Sequence, residues 1–252
     1  MQGTPNGLFL FGILLSKYSS MKITQVENYA ALSRKAASFI AEEVQQNPQL
    51  LFCAATGGSP TGMYAEMAKD QILYSKMRVV KMDEWGIIPL NHPDSCETYL
   101  IKHLLEPLEI GTDRYTTFDT APEVVEAECH RMNTFIRENG PLDICILGLG
   151  KNGHIAFNEP AGVLNPDFHK ALLAESTIAH DPALAQGSEP AYGLCVGMEG
   201  IMQSKKIIFL VTGKGKQEAV KRIMERKIGT DCPASFLWMH PNVECIIDNS
   251  AI

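Results

Sequence analysis

The chain alternates between short continuous apolar runs and longer stretches in which apolar residues recur with helical spacing. Continuous runs are typical of buried strands, and the second pattern is typical of helices that bury one face. The runs predict strands at residues 50–55, 78–82, 143–149, 192–196, 206–212 and 243–247. Helical spacing predicts helices at residues 28–46, 60–69, 96–105, 122–139, 198–203 and 216–226.

Strands that alternate with helices and are apolar over nearly their whole length indicate a mostly parallel sheet. We therefore predict an α/β fold, a single-domain open sheet, mostly parallel, with helices on both faces. The domain is expected to span residues 21–252, because no repeat or long linker interrupts the alternation. Residues 161–190 have weak periodicity and are the best candidate for a lid.

Residues 1–20 are interpreted as an N-terminal extension of this domain. Their apolar stretch, residues 7–15, is too short to span a bilayer, and no basic residue precedes it as in a signal peptide. Met21 is a more natural beginning. The segment is therefore read as an upstream start, a remnant of an expression sequence or an accessory arm, and no membrane association is expected.

The composition is that of an ordinary soluble domain, with 252 residues, of which 45% are hydrophobic and 20% charged. A net charge of −7 argues against a nucleic-acid partner but leaves room for a small anionic substrate. The seven cysteines are scattered and never form a C-x-x-C pair. They indicate structural thiols in a reducing compartment, and hence a cytoplasmic location, rather than disulfides or a zinc site.

The first candidate site is the sequence Thr56-Gly57-Gly58-Ser59-Pro60, which lies between a predicted strand and a predicted helix. Glycines let backbone N–H groups converge, hydroxyls add donors, and a helix start carries partial positive charge. This combination favours a phosphate-binding loop. The alternative is an ordinary strand-to-helix turn with Ser59 as the helix N-cap.

The second candidate is a pair of adjacent acids, Asp83 and Glu84, at the end of the next strand. A carboxylate in such a position can act as a general base if burial or a neighbouring charge raises its pKa. A solvated acidic turn is the alternative. The neighbouring Trp85 favours partial burial, and therefore a functional role.

The third candidate is the loop that follows the strand at residues 143–149. Gly148, Gly150 and Gly153 match the G-x-G-x-x-G spacing of dinucleotide-binding loops. That fingerprint needs a helix to begin at the third glycine, and Pro160 would break such a helix within two turns. We therefore do not expect a nicotinamide cofactor.

His154 and Glu159 in the same loop are better explained as an acid–base histidine that a carboxylate orients. A core histidine capped by a backbone carbonyl is the alternative. A fourth candidate is Lys216, which follows a Gly-rich turn at the start of a predicted helix and could meet a phosphate. The remaining histidines have no spacing that suggests a metal site.

Together these four motifs resemble those of the glucosamine-6-phosphate deaminase/isomerase family, in the same order and spacing, from Met21 to the end of the chain. The branch of galactosamine-6-phosphate isomerases/deaminases is the most similar. The motifs are Ala55-Thr56-Gly57-Gly58-Ser59-Pro60, Met82-Asp83-Glu84-Trp85, Gly148-Leu149-Gly150 with Asn158-Glu159-Pro160, and Thr212-Gly213-x-Gly215-Lys216.

The resemblance implies a Rossmann-like fold of sugar-phosphate isomerase type, and an enzyme that converts an amino-sugar 6-phosphate to a ketose 6-phosphate and ammonia. It implies that Asp83 moves a proton from C2 to C1, that His154 assists ring opening, and that Glu159 orients His154. Gly58, Ser59 and Lys216 would hold the phosphate, with Thr56 and Gly57 completing the loop. No redox cofactor or metal is implied. The partner is a small-molecule amino-sugar phosphate, and homo-oligomerisation stays open.

Two departures from the family pattern affect this expectation. Asn152 stands where the glucosamine enzymes usually have an aspartate, so the acid–base relay must differ, and Asn152 is included among the candidate catalytic residues. The sequence Lys-Asn-Gly-His favours the galactosamine-like branch. The chain also has no arginine between Arg137 and Arg222, where the glucosamine enzymes have a phosphate-binding arginine at about residues 175–185. His180 or Lys170 could replace it.

Two other functions stay open. A 6-phosphogluconolactonase, a hydrolase of the same superfamily, typically has a Ser-Leu-Phe-Pro-like run after the histidine, whereas this chain has Phe157-Asn158-Glu159-Pro160. A non-catalytic sugar-phosphate-binding domain would not need the intact Asp83 and His154.

Overall fold

The computed structural model of the protein describes residues 21–86, 88–121, 123–178 and 192–252. Its strands are β1 (Met21–Val26), β2 (Leu51–Ala54), β3 (Arg78–Lys81), β4 (Asp83–Trp85), β5 (Tyr115–Thr116), β6 (Ile144–Gly148), β7 (His169–Leu172), β8 (Tyr192–Cys195), β9 (Lys206–Val211) and β10 (Val243–Asp248). Residues 1–20 lie outside the described ranges, and the interpretation of them stays a prediction.

Helices occupy most of the connections between these strands. They are α1 (Tyr29–Gln46), α2 (Gly58–Met67), α3 (Cys96–Leu100), α4 (Val125–Asn139), α5 (Glu175–Ile178), α6 (Met198–Met202) and α7 (Gln217–Met224). Two 3₁₀ segments, Ala68–Tyr74 and Pro233–Met239, and a π-helical segment, Ile101–Leu105, complete the regular structure of the described residues.

Seven of the described strands form one parallel sheet in the order β1-β10-β9-β6-β2-β3-β5, flanked by helices. The predicted single-domain α/β fold is confirmed. The central strands are buried along their length; residues 144–147 of β6, for example, have no exposed surface. This explains why they are continuous apolar runs, since strands covered on both faces have no polar side.

The helix at residues 28–46 was predicted with nearly correct bounds. Asn28 adopts extended backbone and its side chain accepts a hydrogen bond from the N–H of Ala31 at 3.0 Å, so it is the N-cap of α1. Leu32, Ile40 and Val44 bury the apolar face of α1 in the core. The N-cap and the helical spacing of the apolar residues therefore both favour a helix over this segment.

Two parts of the fold differ from the prediction. β1 was not predicted, because it is an edge strand in which only Met21 is buried and the apolar signal is weak. The strand at residues 192–196 exists as β8, but it belongs to a separate antiparallel sheet in the order β4-β8-β7. Strands of three or four residues that pair with distant segments have little local signature.

The segment predicted as a lid, residues 161–190, contains regular structure, and its role as a lid stays a prediction. His169–Leu172 is strand β7, paired with β8, and Glu175–Ile178 is helix α5. The rest of the segment from residue 179 lies outside the described residues. Among the described residues, no helix combines the length and apolar character needed to cross a membrane.

Candidate active site

Four loops at the carboxyl ends of β2, β3, β6 and β9 surround one cavity of about 390 Å³. These strands are neighbours at the centre of the sheet, and such an edge is where open α/β sheets usually bind ligands. The predicted site residues that line this cavity are Thr56, Gly57, Gly58, Ser59, Asp83, Asn152, His154 and Lys216. Glu159 is the exception and lies behind His154.

The Gly-Ser loop lines the cavity and leads directly into helix α2. Gly57 has φ 88°, a left-handed conformation that favours glycine, and α2 begins at Gly58. Tyr99 and Tyr29 donate hydrogen bonds to the carbonyls of Gly57 and Gly58 at 2.8 and 2.7 Å. Because C=O and N–H of a trans peptide point in opposite directions, the N–H groups of Gly58 and Ser59 point away from the tyrosines.

Ser59 is therefore not the helix N-cap that the alternative interpretation required. Gly57 occupies that position, and no side chain caps α2. The hydroxyl-bearing side chain of Ser59 is left to line the cavity beside the start of the helix, where an anion is favoured.

Asp83 is a buried carboxyl group on the wall of the cavity. It is the first residue of β4, where it pairs with Cys195 of β8, and it is only 5% exposed. Its Oδ1 is buried and meets no hydrogen-bond donor among the described residues. Burial, and repulsion from Glu84, raise the pKa of Asp83 to about 7, against a smaller opposing effect of the Lys81 ammonium. The solvated acidic turn is therefore excluded.

Glu84, the other acid of the pair, has structural contacts only. Its Oε1 accepts hydrogen bonds from the N–H groups of Trp85 and Cys96, and its Oε2 accepts from the N–H of Glu97 and from Lys81 at 3.1 Å. Lys81 is fully buried and also contacts Glu97 at 2.8 Å. Glu84 therefore fixes the start of α3 and the strand that carries Asp83.

His154 and Glu159 form the predicted pair, with Nδ1 of His154 3.2 Å from Oε2 of Glu159. Asn152 Nδ2 donates to the same oxygen at 2.7 Å, and Thr177 donates to Oε1 at 2.5 Å. Burial alone would raise the pKa of Glu159, but the hydrogen bonds and charge of His154, together with Thr177 and Asn152, hold it below its usual range.

The ionised Glu159 determines which nitrogen of His154 carries the proton. A carboxylate only accepts, so Nδ1 donates, and Nε2 is the nitrogen available to a ligand. The ring lines the cavity and its side chain is 21% exposed. The core-histidine interpretation is therefore wrong.

An aromatic wall closes one side of the cavity. The rings of Trp85 and Phe157 lie 4.4 Å apart at 30°. Both line the cavity, next to Ala156, which adopts φ 49°. An apolar wall beside Asp83 explains its loss of hydration. Backbone strain of this kind is found most often near functional sites.

Comparison with known proteins is consistent with this geometry. Residues 24–246 match the model of the family described as glucosamine-6-phosphate isomerases/6-phosphogluconolactonase. The chain belongs to this family. The resemblance inferred from the four motifs is thereby confirmed, as is the prediction that the protein is an enzyme of the deaminase/isomerase type.

Several relatives are more than 30% identical over most of their length, and two of them serve as examples. AgaI of Escherichia coli (strain K12), which is named as a deaminase, is 38% identical over 90% of this chain and 91% of its own. A glucosamine-6-phosphate deaminase of Clostridium perfringens (strain 13 / Type A) is 35% identical over 92% of this chain and 98% of its own.

Solved structures agree with the fold. A monomeric glucosamine-6-phosphate deaminase has a TM-score of 0.85 and 31% identity, and the match covers 92% of this chain and 98% of the other. The 6-phosphogluconolactonase of Trypanosoma brucei has a TM-score of 0.74 at 20% identity, over 92% and 97% of the two chains, which shows a shared fold alone.

Two cavity residues of this family member were not identified from the sequence. Thr177 lies on the four-residue helix α5, where no motif draws attention to a threonine. Lys151 follows Gly150 inside the third motif and lines the cavity beside Lys216, but a single exposed lysine is usually solvated. Its position within the glycine-rich loop was the one available signal.

Lys170 and His180 were suggested as replacements for the missing phosphate-binding arginine. The ammonium of Lys170 lies 4.0 Å from the ring centre of Tyr192 and Lys170 does not line the cavity, so Lys170 is not supported. His180 lies outside the described residues. Lys216 donates to the carbonyl of Leu149, and burial together with the charge of Lys151 lowers its pKa.

Within the described residues, no group of three or more His, Cys, Asp or Glu side chains is arranged to hold a metal ion.

Proposed function

We propose that this enzyme converts galactosamine 6-phosphate, with glucosamine 6-phosphate as an alternative substrate, to the ketose 6-phosphate and ammonia. The observation that carries the proposal is the shared cavity of Asp83, His154, the Gly-Ser loop and Lys216. A carboxyl group that titrates near neutrality, an oriented imidazole and a phosphate-binding loop are the three elements that this reaction needs. The names of the relatives support the same chemistry.

His154 acts first, on the closed sugar ring. Its Nε2 takes the proton of the C1 hydroxyl and returns a proton to the ring oxygen, which opens the ring and unmasks the C1 aldehyde. The Nδ1–H bond to Glu159 stabilises the imidazolium during this transfer. Asn152 carries no charge, so in this chain Glu159 is the carboxylate that performs this task.

Asp83 then isomerises the open chain. The aldehyde makes the C2 proton acidic; ionised Asp83 takes that proton, and an enolamine forms. Asp83 delivers the proton to C1 while a proton of the amino group passes to the C1 oxygen, which leaves a hydroxyl at C1 and an imine at C2. Addition of water to the imine and departure of ammonia give the ketose. A carboxyl group with a pKa of about 7 is suited to both halves of this transfer, since it is partly ionised at neutral pH.

The phosphate is expected to bind Thr56, Gly57, Gly58, Ser59 and Lys216. The N–H groups at the start of α2 and the Lys216 ammonium supply the donors. This group anchors the substrate at one end of the cavity, and the reacting carbons extend towards Asp83 and His154.

The remaining expectations form part of the proposal. The catalytic domain spans residues 21–252 and works in the cytoplasm, where its cysteines stay reduced; the cysteines of the described ranges are free thiols. Its partner is the amino-sugar phosphate, without nucleic acid or membrane. Self-association of the chain stays open to measurement by sedimentation.

One assay tests this function against its alternatives. Ammonia release is measured side by side with galactosamine 6-phosphate and glucosamine 6-phosphate, and hydrolysis is measured with 6-phosphogluconolactone. Ammonia from either sugar supports the proposal, and the ratio of the two kcat/KM values gives the C4 preference. Turnover of the lactone alone would make the protein a hydrolase, and binding without any turnover would make it a sugar-phosphate-binding domain.

A further inference from the structure

We propose that Lys151 supplies a second positive charge to the phosphate site, opposite Lys216, in place of an arginine. This inference rests on the proposed function and deepens it. It assigns phosphate binding to a lysine that is not among the predicted phosphate-binding residues.

The first argument is the position of the Lys151 side chain. It extends from the third loop across the turn of the fourth: a methyl group at Gly215 would lie 3.2 Å from Cε of Lys151 and 3.6 Å from its Nζ. Gly215 has φ 81° and directly precedes Lys216. The two lysines therefore come from different loops, lie close together and both line the cavity.

Lys151 has no carboxylate partner in the part of the chain that the structure describes. Among the described residues, no Asp or Glu oxygen lies within ion-pair distance of its ammonium. An ammonium without such a partner, in a cavity that the Gly-Ser loop and Lys216 also line, is a complementary surface for an anion.

The charge of Lys151 also acts on Lys216. Burial, and then the positive charge of Lys151, lower the pKa of Lys216, as expected for two ammonium groups that lie close together. A phosphate dianion between them would convert this repulsion into two attractions. Anion binding should consequently favour the charged form of Lys216.

The arginines of the region are engaged elsewhere. Arg222 contacts Asp231 at 2.6 Å and the carbonyl of Asn152 at 3.4 Å, and so stabilises the third loop from behind. Arg226 lies over the ring of Trp238. Among the described residues, Lys151 is the cation that lines the cavity together with Lys216.

The test is binding of inorganic phosphate to the whole chain, measured by isothermal titration calorimetry. We expect Lys151→Gln to weaken phosphate binding by about tenfold, the scale of one charge-assisted hydrogen bond. Lys151→Arg, which keeps the charge, should stay within about threefold of the parent. Lys214→Gln is the matched control, because Lys214 is an exposed lysine of the neighbouring turn that does not line the cavity.

The outcomes are unambiguous. Loss of affinity in K151Q, with K214Q close to the parent, supports the assignment. Equal affinity of K151Q and the parent, or an equal loss in K214Q, would overturn it, since the effect would then be absent or due to net charge alone. If K151Q did not fold by circular dichroism, K151M would replace it with the same criteria.

Failure of this inference can be told apart from failure of the proposed function. Phosphate binding needs no turnover, so a protein that releases no ammonia can still show the difference between K151Q and K214Q. If the enzyme does release ammonia and K151Q leaves the KM for the amino-sugar phosphate unchanged, Lys151 is excluded while the function stands.

Discussion

The imidazole of His154 lies directly against the α-carbon of Gly150. A methyl group at Gly150 would sit 2.4 Å from Cγ and Cδ2 of His154 and 2.5 Å from its Nε2. The backbone N–H of Gly150 also donates to the carbonyl of His154 at 2.9 Å, so both residues belong to one compact turn. Gly150 is therefore required because a larger residue would displace the His154 ring, and not because of its backbone conformation.

We predict that Gly150→Ala displaces the His154 ring and lowers kcat/KM by about 10²-fold, since a misplacement of about 1 Å is enough for such a loss. Steady-state ammonia release measures the effect. Gly162→Ala is the control, because a methyl group there would meet no atom within 4 Å. A folded G150A enzyme with the parental kcat/KM would show that the position of the His154 ring does not limit the reaction.

The second prediction concerns the pH dependence of the reaction. Asp83 must be ionised to take a proton, and its pKa in the free enzyme is about 7. As the pH falls through 7, Asp83 becomes protonated, so kcat/KM should fall with an apparent pKa near 7. Asp83→Asn should lower kcat/KM by about 10²–10⁴-fold at pH 8. Ammonia release at the parental rate from folded D83N would refute the role of Asp83.

A third prediction concerns stability, and its sign follows from the same carboxyl group. Asp83 titrates at about 7 in the native state and near 3.8 when unfolded. Between these values the native protein holds a proton that the unfolded chain has lost, so the free energy of unfolding falls as the pH rises from 4 to 7. Above pH 7 Asp83 is ionised in both states, and this loss in the free energy of unfolding has reached its full size.

Asp83→Asn removes that penalty. We expect D83N to be more stable than the parent by about 1–4 kcal/mol at pH 8 and similar to it at pH 4, as measured by urea unfolding. Glu84→Gln is the contrasting variant: it breaks the buried contact with Lys81, and should destabilise by about 2 kcal/mol or more at pH 8. If D83N were less stable than the parent at pH 8, the ionised Asp83 carboxylate would not destabilise the native state.

Local patterns predicted the elements that are buried or capped by their own residues. The continuous apolar runs marked β2 and β6, and Asn28 with the helical spacing marked α1. β1 was missed because an edge strand keeps polar residues. The antiparallel sheet was missed because β4 depends on pairing with β8, a segment far away in the chain.

The same distinction applies to the site. Asp83 and His154 were predicted because they belong to motifs at strand ends, and the structure brings both to one cavity. Thr177 comes from a short helix without periodicity, and only the tertiary fold places its hydroxyl on Glu159. Lys151 was overlooked because the sequence does not show whether an exposed lysine has a carboxylate partner.

Thr177 carries the fourth prediction. Its hydroxyl donates to Glu159 and lies 3.4 Å from Nδ1 of His154, so its loss should free the carboxylate and raise the pKa of Glu159. We expect Thr177→Val to lower kcat about tenfold, from the loss of a hydrogen bond to a charged group. Thr177→Ser should stay within about threefold. Valine keeps the shape of the threonine side chain without its hydroxyl, so a T177V enzyme with the parental kcat would assign Thr177 a packing role only.

The last prediction separates ring opening from isomerisation. His154→Gln removes the proton carrier but leaves Asp83 in place, so it should impair the closed-ring sugar phosphate far more than an analogue that is already open. For the cyclic substrate we expect kcat/KM to fall by about 10²–10⁴-fold, and for the open-chain analogue by less than about tenfold. Isotope exchange of the C2 proton with solvent measures the isomerisation step on both. Asp83→Asn should impair the reactions of both substrates equally, because both must form the enolamine. Equal losses on the two substrates in H154Q would place His154 in a later step, with ring opening left to another group.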